Sequence, residues 1–334
     1  MDENTKLFSD FPPVSVADWE AKIKEDLKGA DYAKKLIRTT LDNFSIKPYY
    51  TADDLAALNY LEQSPGTYPF VRTDKLCCND WEIRQDFKVT DIDAAVEKAY
   101  VATTRGVTSV GFNLVSKGDL YYHDFRKLIS GFDLTKTQIN LIVDDTAPQI
   151  LDFLLKALDE HPGGRSGFRG SLEYDPLGHL SATGGFHYSE QDDMQDAAKM
   201  LTTARHELPG LRVLAVNSHL FADAGASVVQ ELAFGLAMIS DYLVHLTDEE
   251  HTAADITKHM QWNLGAGSDY FMEIARIRAA RMLYSALLSG FDKTSEASPV
   301  YIHSITTKWN KTLYDPNINL LRLTTEAMAA ILGG

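Results

Sequence analysis

The sequence has little cysteine and no long hydrophobic run. Its only cysteines, Cys77 and Cys78, are adjacent, and because a disulfide between neighbours is strained, they are predicted to be plain thiols in a reducing compartment. No stretch approaches the roughly 18 apolar residues that a membrane span needs, and the amino terminus lacks the basic-then-apolar order of a signal peptide. We therefore expect a cytoplasmic protein with no membrane partner.

Basic charge is also scarce. The chain has 32 Lys and Arg residues against 47 Asp and Glu residues, a formal net charge of −15 at pH 7. Such a field repels phosphate backbones, so nucleic acid is not expected as a partner. With 334 residues, 45% hydrophobic and 24% charged, the chain has a globular composition and is long enough for one α/β barrel with extensions.

Residues 1–70 differ in pattern from the rest of the chain. A helix capped by Ser15 or Asp18 is predicted to end near Gly29, and a second short helix is predicted at residues 52–60. The segments around the second helix are rich in proline and tyrosine and are expected to be extended. We predict that this part of the chain is an arm that contacts another subunit.

Residues 71–334 alternate short apolar runs with amphipathic stretches of helical length. Seven strands are predicted, at residues 83–88, 109–114, 138–144, 169–175, 211–217, 260–265 and 300–306. Helices are predicted at residues 91–104, 120–131, 147–159, 190–207, 225–247, 268–289 and 318–332. Successive βα units require a parallel sheet and favour a TIM-type (β/α)8 barrel. Because no eighth strand is visible, the barrel is predicted to be truncated before its last strand.

Four histidines follow the predicted carboxyl ends of strands, the face on which barrel enzymes build their sites: His179, His187, His219 and His303. Together they could form a metal-dependent hydrolase. However, the sequence lacks an H-x-H motif on the first strand, an H-E-x-x-H motif and a carboxylate pair at ligand spacing. Surface or capping roles are therefore favoured, and no metal ion is predicted.

Three other patterns have structural interpretations. The D-x-H-x-x-G string at residues 159–164 matches one that ligates cobalt in cobalamin domains, but here it ends a helix, so His161 is predicted to lie in a helix stop. Residues 265–267, Gly-Ala-Gly, open a helix after a strand, and a tight turn is favoured over a phosphate site. A short basic cluster is predicted to pair with Glu273 or other neighbours: Arg276, Arg278 and Arg281.

Several strings resemble, in order and spacing, motifs of the methylmalonyl-CoA mutase family. They are I-K-P-Y-Y-T at 46–51, S-P-G-T-Y-P-F-V-R at 64–72, W-E-I-R-Q at 81–85, D-A-G-A at 223–226 with Q-E-L-A at 230–233, Y-F-M-E-I-A-R-I-R-A at 270–279, and D-P at 315–316 with E-A-M-A-A at 326–330. The resemblance implies the family's substrate barrel, whose axis admits the pantetheine arm of CoA. Nothing in the sequence resembles the family's cobalamin-binding domain.

Two regions depart from the family's catalytic members. Those members have a tyrosine in M-Y-x-x-R-P-W that hydrogen-bonds the acyl group, and Leu76 stands at that position here. Asn79 and Asp80 replace the arginine and proline of the same motif. The histidine of Y-H-M-Q-E-A-G-A aligns with Leu220 or, with a one-residue gap, with His219. The resemblance therefore implies no catalytic residue and no cofactor on this chain.

The chain most resembles the small (beta) subunit of heterodimeric mutases, which keeps the fold without substrate or cofactor. The resemblance implies that a catalytic (alpha) subunit binds adenosylcobalamin and interconverts (R)-methylmalonyl-CoA and succinyl-CoA, while this chain stabilises it. Two alternatives stay open. The chain could be an active acyl-CoA mutase of altered specificity, with His219 at the barrel axis, or a metal-dependent barrel hydrolase.

Overall fold

The computed structural model divides into two compact units, Met1–Leu61 and Glu62–Gly334. It describes residues 11, 14–78, 80–115, 118–247, 250–291 and 298–334. Most of the first 13 residues of the predicted arm and Asn79 therefore lie outside the described residues. The domain boundary predicted at residue 70 stays a prediction.

The first unit contains only short elements. These are α1 (Val16–Asp26), α2 (Tyr32–Leu36), the antiparallel pair β1 (Arg38–Thr39) and β2 (Ser45–Ile46), and a 3-10 helix, Ala52–Leu55. As predicted, Ser15 caps α1 by accepting a hydrogen bond from the Asp18 amide at 3.1 Å. The predicted helix at residues 52–60 is wrong beyond its first turn. None of the described residues of this unit is buried, and a short helix without a packed face is marginal in water.

The second unit is built on one parallel sheet whose strands follow the order of the chain. The strands are β3 (Arg84–Lys88), β4 (Ser109–Asn113), β5 (Gln138–Ile142), β6 (Gly170–Tyr174), β7 (Leu211–Asn217), β8 (Met260–Ala266) and β9 (Ile302–Thr306). All six neighbouring pairs are parallel. The predicted α/β architecture of seven successive parallel strands in a TIM-type barrel is confirmed, with β3 and β9 as the edges of the described sheet.

Ten helices of this unit accompany the sheet. They are α3 (Ile92–Thr103), α4 (Tyr122–Ser130), α5 (Ala147–Glu160), α6 (Pro176–Thr183), α7 (Glu190–Glu207), α8 (His219–Asp223), α9 (Val228–Leu246), α10 (Ala253–Lys258), α11 (Tyr270–Phe291) and α12 (Asn319–Gly333), among the described residues. The predicted helix at 225–247 begins three residues later, because Gly225 has a φ of +97° and Ser227 accepts the capping hydrogen bond from Gln230. In the part of the chain that the structure describes, no helix is long and apolar enough to cross a membrane.

The two faces of the sheet differ in chemistry. Side chains such as Phe112, Leu141 and Leu172 are fully buried in the core that packs against the helices. Successive side chains of a strand point to opposite faces, and the alternate positions here are polar. They include Ser109, Gln138, Asn140, Ser171, Glu173, Gln261 and Asn263, all buried. A typical barrel interior is filled by branched apolar side chains, so the polar interior marks this face as the candidate site.

One glycine of α9 is required by the core. An ideal Cβ at Gly235 would lie 2.5 Å from Nε1 of the fully buried Trp262, which donates a hydrogen bond to Ser218 Oγ. We expect Gly235→Ala to lower the free energy of unfolding by about 1–3 kcal/mol, measured by urea denaturation. The matched control is Gly290→Ala in α11, where nothing lies within 4 Å of the new Cβ. The packing argument is wrong if Gly235→Ala is tolerated as well as Gly290→Ala.

Candidate functional site

An ion pair crosses the interior of the curled sheet. Arg84 of β3 and Glu173 of β6 lie with Nη1 and Oε1 2.5 Å apart, and Arg84 Nε donates to Asp86 Oδ1 at 2.7 Å. The side chains of Arg84 and Glu173 are 8% and 4% exposed. Because β3 and β6 are the first and fourth strands of the sheet, this pair connects opposite walls of the barrel.

Three polar side chains complete the layer around Glu173. His303 Nδ1 lies 3.3 Å from Arg84 Nη1 and 3.3 Å from Asn263 Oδ1. Asn263 Nδ2 donates to Glu173 Oε2 at 3.2 Å, and Ser171 Oγ donates to Glu173 Oε1 at 3.1 Å. Both oxygens of the buried carboxylate therefore have partners, as a buried charge requires.

The pKa values of Glu173 and His303 determine which groups of this layer are charged at neutral pH. Burial raises the pKa of Glu173, but Arg84 and His303 outweigh it and hold that pKa below its usual value. Burial and the charge of Arg84 lower the pKa of His303 to about 3. At neutral pH the carboxylate is therefore ionised and the imidazole is neutral. An acid–base pair with pKa values near 7 would suit proton transfer better.

A second layer lies closer to the amino ends of the strands. The guanidinium carbon of Arg212 lies 3.7 Å from the centroid of the Tyr301 ring, and Arg212 Nε donates to Gln261 Oε1 at 3.1 Å. The Tyr301 hydroxyl donates to Glu82 Oε2 at 2.7 Å, and Gln138 Nε2 donates to Glu82 Oε1. This layer again joins side chains from several strands, so the two layers place side chains bonded to one another across the interior.

A cavity of about 510 Å³ opens between the two edge strands. Its lining includes Glu82 before β3, Arg84 of β3, Tyr301 before β9, His303 of β9 and Ile331 of α12. The cavity therefore lies at the open side of the sheet, and side chains of both polar layers form part of its wall.

The positions that align with the family's catalytic residues are placed as follows. Leu76 is 77% exposed on the segment before β3, where its side chain packs against Gly66. His219 begins α8 directly after β7, and its Nδ1 is buried without a hydrogen-bond partner among the described residues. Burial lowers the pKa of His219. Leu220 is partly exposed. The role assigned to each position from the sequence stays a prediction.

The four candidate histidines form two groups. The rings of His179 and His187 contact each other at a tilt of 32° with centroids 3.9 Å apart, and His187 stacks on Tyr174. His219 and His303 instead lie toward the interior, where Arg84 and Asn263 are polar partners of His303. The expectation of a surface or capping position is wrong for His303, because polar partners on the inner face make burial of its imidazole favourable. For His219, whose Nδ1 has no partner among the described residues, the role stays a prediction.

Metal and cobalt ligation find no support in the geometry. Among the described residues, no three His, Cys, Asp or Glu side chains come together in a way that could hold a metal ion. The ring nitrogens of His161 both have partners, with Nε2 3.1 Å from the Phe132 carbonyl and Nδ1 accepting from the Gly163 amide at 2.9 Å. His161 thus ends α5 as predicted and does not fit a lower axial cobalt ligand. Cys77 and Cys78 are free and exposed, as predicted.

We expect the purified chain to retain far less than one equivalent of zinc after dialysis against metal-free buffer. A protein site that binds structural or catalytic zinc holds it strongly enough to survive such dialysis. The measurement is metal content by mass spectrometry, with a known zinc protein dialysed alongside as the control. Stoichiometric zinc in this chain would contradict the prediction and favour the hydrolase alternative.

The sequence-based interpretation of the basic cluster is confirmed for Arg276 and for Arg281, whose Nη1 lies 3.8 Å from Asp74 Oδ1. Arg276 Nη2 lies 2.6 Å from Glu273 Oε2, and the Glu231 carboxylate lies on Nη1 of the same guanidinium. Strand β8 continues through Ala266, so the turn expected at residues 265–267 begins at Gly267, two residues later than the sequence indicated. The helix then starts at Tyr270.

Comparison with known proteins identifies the family. The sequence profile described as methylmalonyl-CoA mutase matches residues 119–334. The chain belongs to the methylmalonyl-CoA mutase family. The methylmalonyl-CoA mutase small subunit of Porphyromonas gingivalis is 36% identical over 99% of this chain and 53% of the relative.

Other mutases are more distant. The small subunit of Streptomyces virginiae is 28% identical over 100% of this chain and 54% of the relative, and the large subunit of the same organism is 25% identical over 96% and 47%. The chain thus spans about half the length of the curated relatives it matches. Yersinia pestis DHPS, a solved structure, aligns at 10% identity over 76% of this chain and 95% of that chain, with a TM-score of 0.31, too low to support an argument.

Sequence reasoning did not single out the residues that fill the mutase-type barrel. Glu173, Arg212 and Tyr301 were not candidates, and Arg84 appeared only as one residue of the W-E-I-R-Q string, because none of them has a motif that marks an inward-facing position. The available signal for Glu173 was a charge at an inward-facing place of an otherwise apolar strand, G-S-L-E-Y at Gly170–Tyr174.

Proposed function

We propose that this chain acts as the non-catalytic small (beta) subunit of an adenosylcobalamin-dependent methylmalonyl-CoA mutase. Its role is to stabilise a catalytic (alpha) subunit, which carries the cofactor and interconverts (R)-methylmalonyl-CoA and succinyl-CoA in the cytoplasm. The observation that carries the proposal is the set of bonded polar side chains inside the barrel. The ion pair between Arg84 and Glu173 crosses the interior of the sheet, the region in which the resemblance to the family would place the pantetheine arm.

Separating these interior side chains to make room for a pantetheine arm would cost free energy. Both partners of the ion pair are desolvated, and separating them leaves an uncompensated buried charge, which typically costs several kcal/mol. The layer of Arg212 and Tyr301 would have to move as well, with the loss of its hydrogen bonds to Gln261 and Glu82. Binding of the pantetheine arm of an acyl-CoA would have to offset this loss of free energy before it gave any net affinity.

The catalytic positions agree with this role. Leu76 offers no hydroxyl to an acyl group and is exposed on its segment. Loss of a hydrogen bond that stabilises developing charge lowers a reaction rate by a factor of about 10²–10³. The absence of that tyrosine therefore favours a structural role for this barrel over a catalytic one.

The first unit has large apolar side chains on its surface. Trp19 of α1 stacks on Tyr49 with ring centroids 4.8 Å apart, yet Trp19 remains 50% exposed. Leu41 and Phe44 are also exposed large hydrophobic residues. Uncovered apolar side chains at this density are typical of interaction surfaces, and we assign this one to the catalytic subunit.

One observation favours an alternative, an active acyl-CoA mutase of altered specificity. Nδ1 of His219 is buried without a partner among the described residues, so this imidazole could bind an acyl oxygen. The alternative also requires a substrate route past Arg84 and a group that replaces the missing tyrosine.

The test is to co-express this protein in its natural full length with the catalytic subunit encoded in the same genome. Size-exclusion mass and mutase activity are then measured for each peak. We expect a one-to-one complex to carry all the activity and the isolated protein to have none. If the protein does not bind that subunit, or if the isolated protein turns over methylmalonyl-CoA, the proposal is wrong.

A further inference from the structure

Two buried carboxylates share one guanidinium beside the carboxyl end of β8. Arg276 of α11 donates from Nη1 to Glu231 of α9, and its Nη2 lies 2.6 Å from Oε2 of Glu273. The side chains of Arg276, Glu231 and Glu273 are 1%, 3% and 7% exposed. With all three ionised, two anions and one cation leave one negative charge uncompensated in the core.

The same three side chains hold the backbone where β8 ends. Glu231 Oε1 accepts a hydrogen bond from the Gly265 amide at 2.7 Å, and Arg276 Nη2 donates to the Gly265 carbonyl. Glu273 accepts a hydrogen bond from the Gly267 amide. The cluster therefore fixes both polar groups of Gly265 and the start of the turn that follows, at the end of the barrel where this fold places its functional loops.

Among the described residues, the groups that act most strongly on the two carboxylates include no second cation. Asp269, on the turn itself, raises the pKa of Glu273 through its own negative charge. Gly265 packs against Ala222 of α8 and against Thr307 after β9, and both are uncharged side chains. Arg276 is thus the cation that acts on both carboxylates.

We propose that Glu231 and Glu273 share one proton, and that release of this proton loosens the end of β8 and the turn after it, residues 265–269. Burial raises the pKa of Glu231 to about 7 despite the opposing effect of Arg276, and burial also raises the pKa of Glu273. Because the two groups interact, the proton belongs to the pair and not to either residue alone. The barrel mouth thereby responds to pH in the physiological range.

The sign of the effect follows from linkage. The pKa of the pair is higher in the folded protein than the value of 4.5 expected for an unfolded glutamate. The stabilisation from the bound proton is therefore complete below about pH 4.5 and is lost as the pH rises through about 7. Within this window the unfolding equilibrium constant rises by up to about tenfold per pH unit because of this site.

The first test compares slopes of stability against pH. Unfolding equilibrium constants are measured at about pH 5, 6, 7 and 8 for the wild-type protein, Glu231→Gln and Glu273→Gln, with the exposed Glu97→Gln on α3 as the control. In the wild-type protein the cluster should make the unfolding equilibrium constant rise by up to about tenfold per pH unit. This contribution should be missing in Glu231→Gln and Glu273→Gln and should be kept in Glu97→Gln. Parallel slopes in all four proteins would overturn the proposal, whatever their absolute stabilities.

The second test uses the wild-type protein alone, in case a cluster variant fails to fold. Amide hydrogen exchange, corrected for its intrinsic pH dependence, is followed at residues 265–269, with β5 and α1 as internal references. Because global unfolding also becomes more favourable as the pH rises, β5 shows the change that global unfolding causes, and α1 in the other compact unit shows the change without the cluster. Protection of residues 265–269 should fall several-fold between about pH 6 and pH 8 while that of α1 is unchanged. Equal changes in residues 265–269 and in α1 would show that the cluster does not control the turn.

Discussion

Arg276→Met is expected to lower the free energy of unfolding by about 3–5 kcal/mol. The substitution removes the cation from between two buried carboxylates, Glu231 and Glu273, and removes the donor to the Gly265 carbonyl. Methionine keeps much of the aliphatic stem, so the loss reports on charge and hydrogen bonding more than on a cavity. Urea denaturation followed by circular dichroism at about pH 7 measures it.

The matched control is an exposed ion pair of the same chemistry. Arg126 Nε lies 2.9 Å from Glu160 Oε2, with side chains 55% and 38% exposed. Because water already solvates both charges, Arg126→Met should cost no more than about 1 kcal/mol. If the two substitutions cost the same, burial does not determine the strength of the Arg276 cluster.

Arg84→Met should destabilise the protein by a similar amount, about 3–5 kcal/mol. It leaves the buried Glu173 and the partly exposed Asp86 without their guanidinium on the inner face of the sheet. The pKa of Glu173, now held below its usual value by Arg84, should rise, so that the variant takes up a proton on folding. Urea denaturation at about pH 5 and pH 8 measures both effects, with a larger loss at the higher pH.

A double variant tests the cause of this loss. Arg84→Met/Glu173→Met removes both charges of the ion pair, so the cost of an unpaired carboxylate at Glu173 disappears. We expect the double variant to be more stable than Arg84→Met alone, since apolar replacement of a buried pair is often neutral. A double variant as unstable as the sum of its single variants would mean that the two residues do not interact.

Much of the fold follows from local patterns. The strand predicted at residues 211–217 is found at Leu211–Asn217, and the helix predicted at 190–207 is found at Glu190–Glu207. Both are long enough to show their hydrophobic period and have clear end signals. The short helices α6, α8 and α10 were not predicted, because five to eight residues are too few to show a period of 3.6.

The candidate site was less accessible to sequence reasoning. Histidines drew attention because of their chemistry, yet His303 is one member of a network whose charge is carried by Arg84 and Glu173. Those two residues were unremarkable members of their strands. Resemblance to mutase motifs predicted the family correctly. It compared positions along the sequence, so it did not show which side chains contact one another inside the barrel.

By itself the sequence determined the order of strands and helices, the parallel sheet and the family, because these depend on periodicity, capping and motif spacing within short windows. Only the tertiary structure decided how the charges combine. Arg84 meets Glu173 across 89 positions of chain, and Arg276 meets Glu231 across 45. Such partners come together when the sheet curls and the helices pack on it, and the exclusion of water there makes each pairing strong enough to shape the interior.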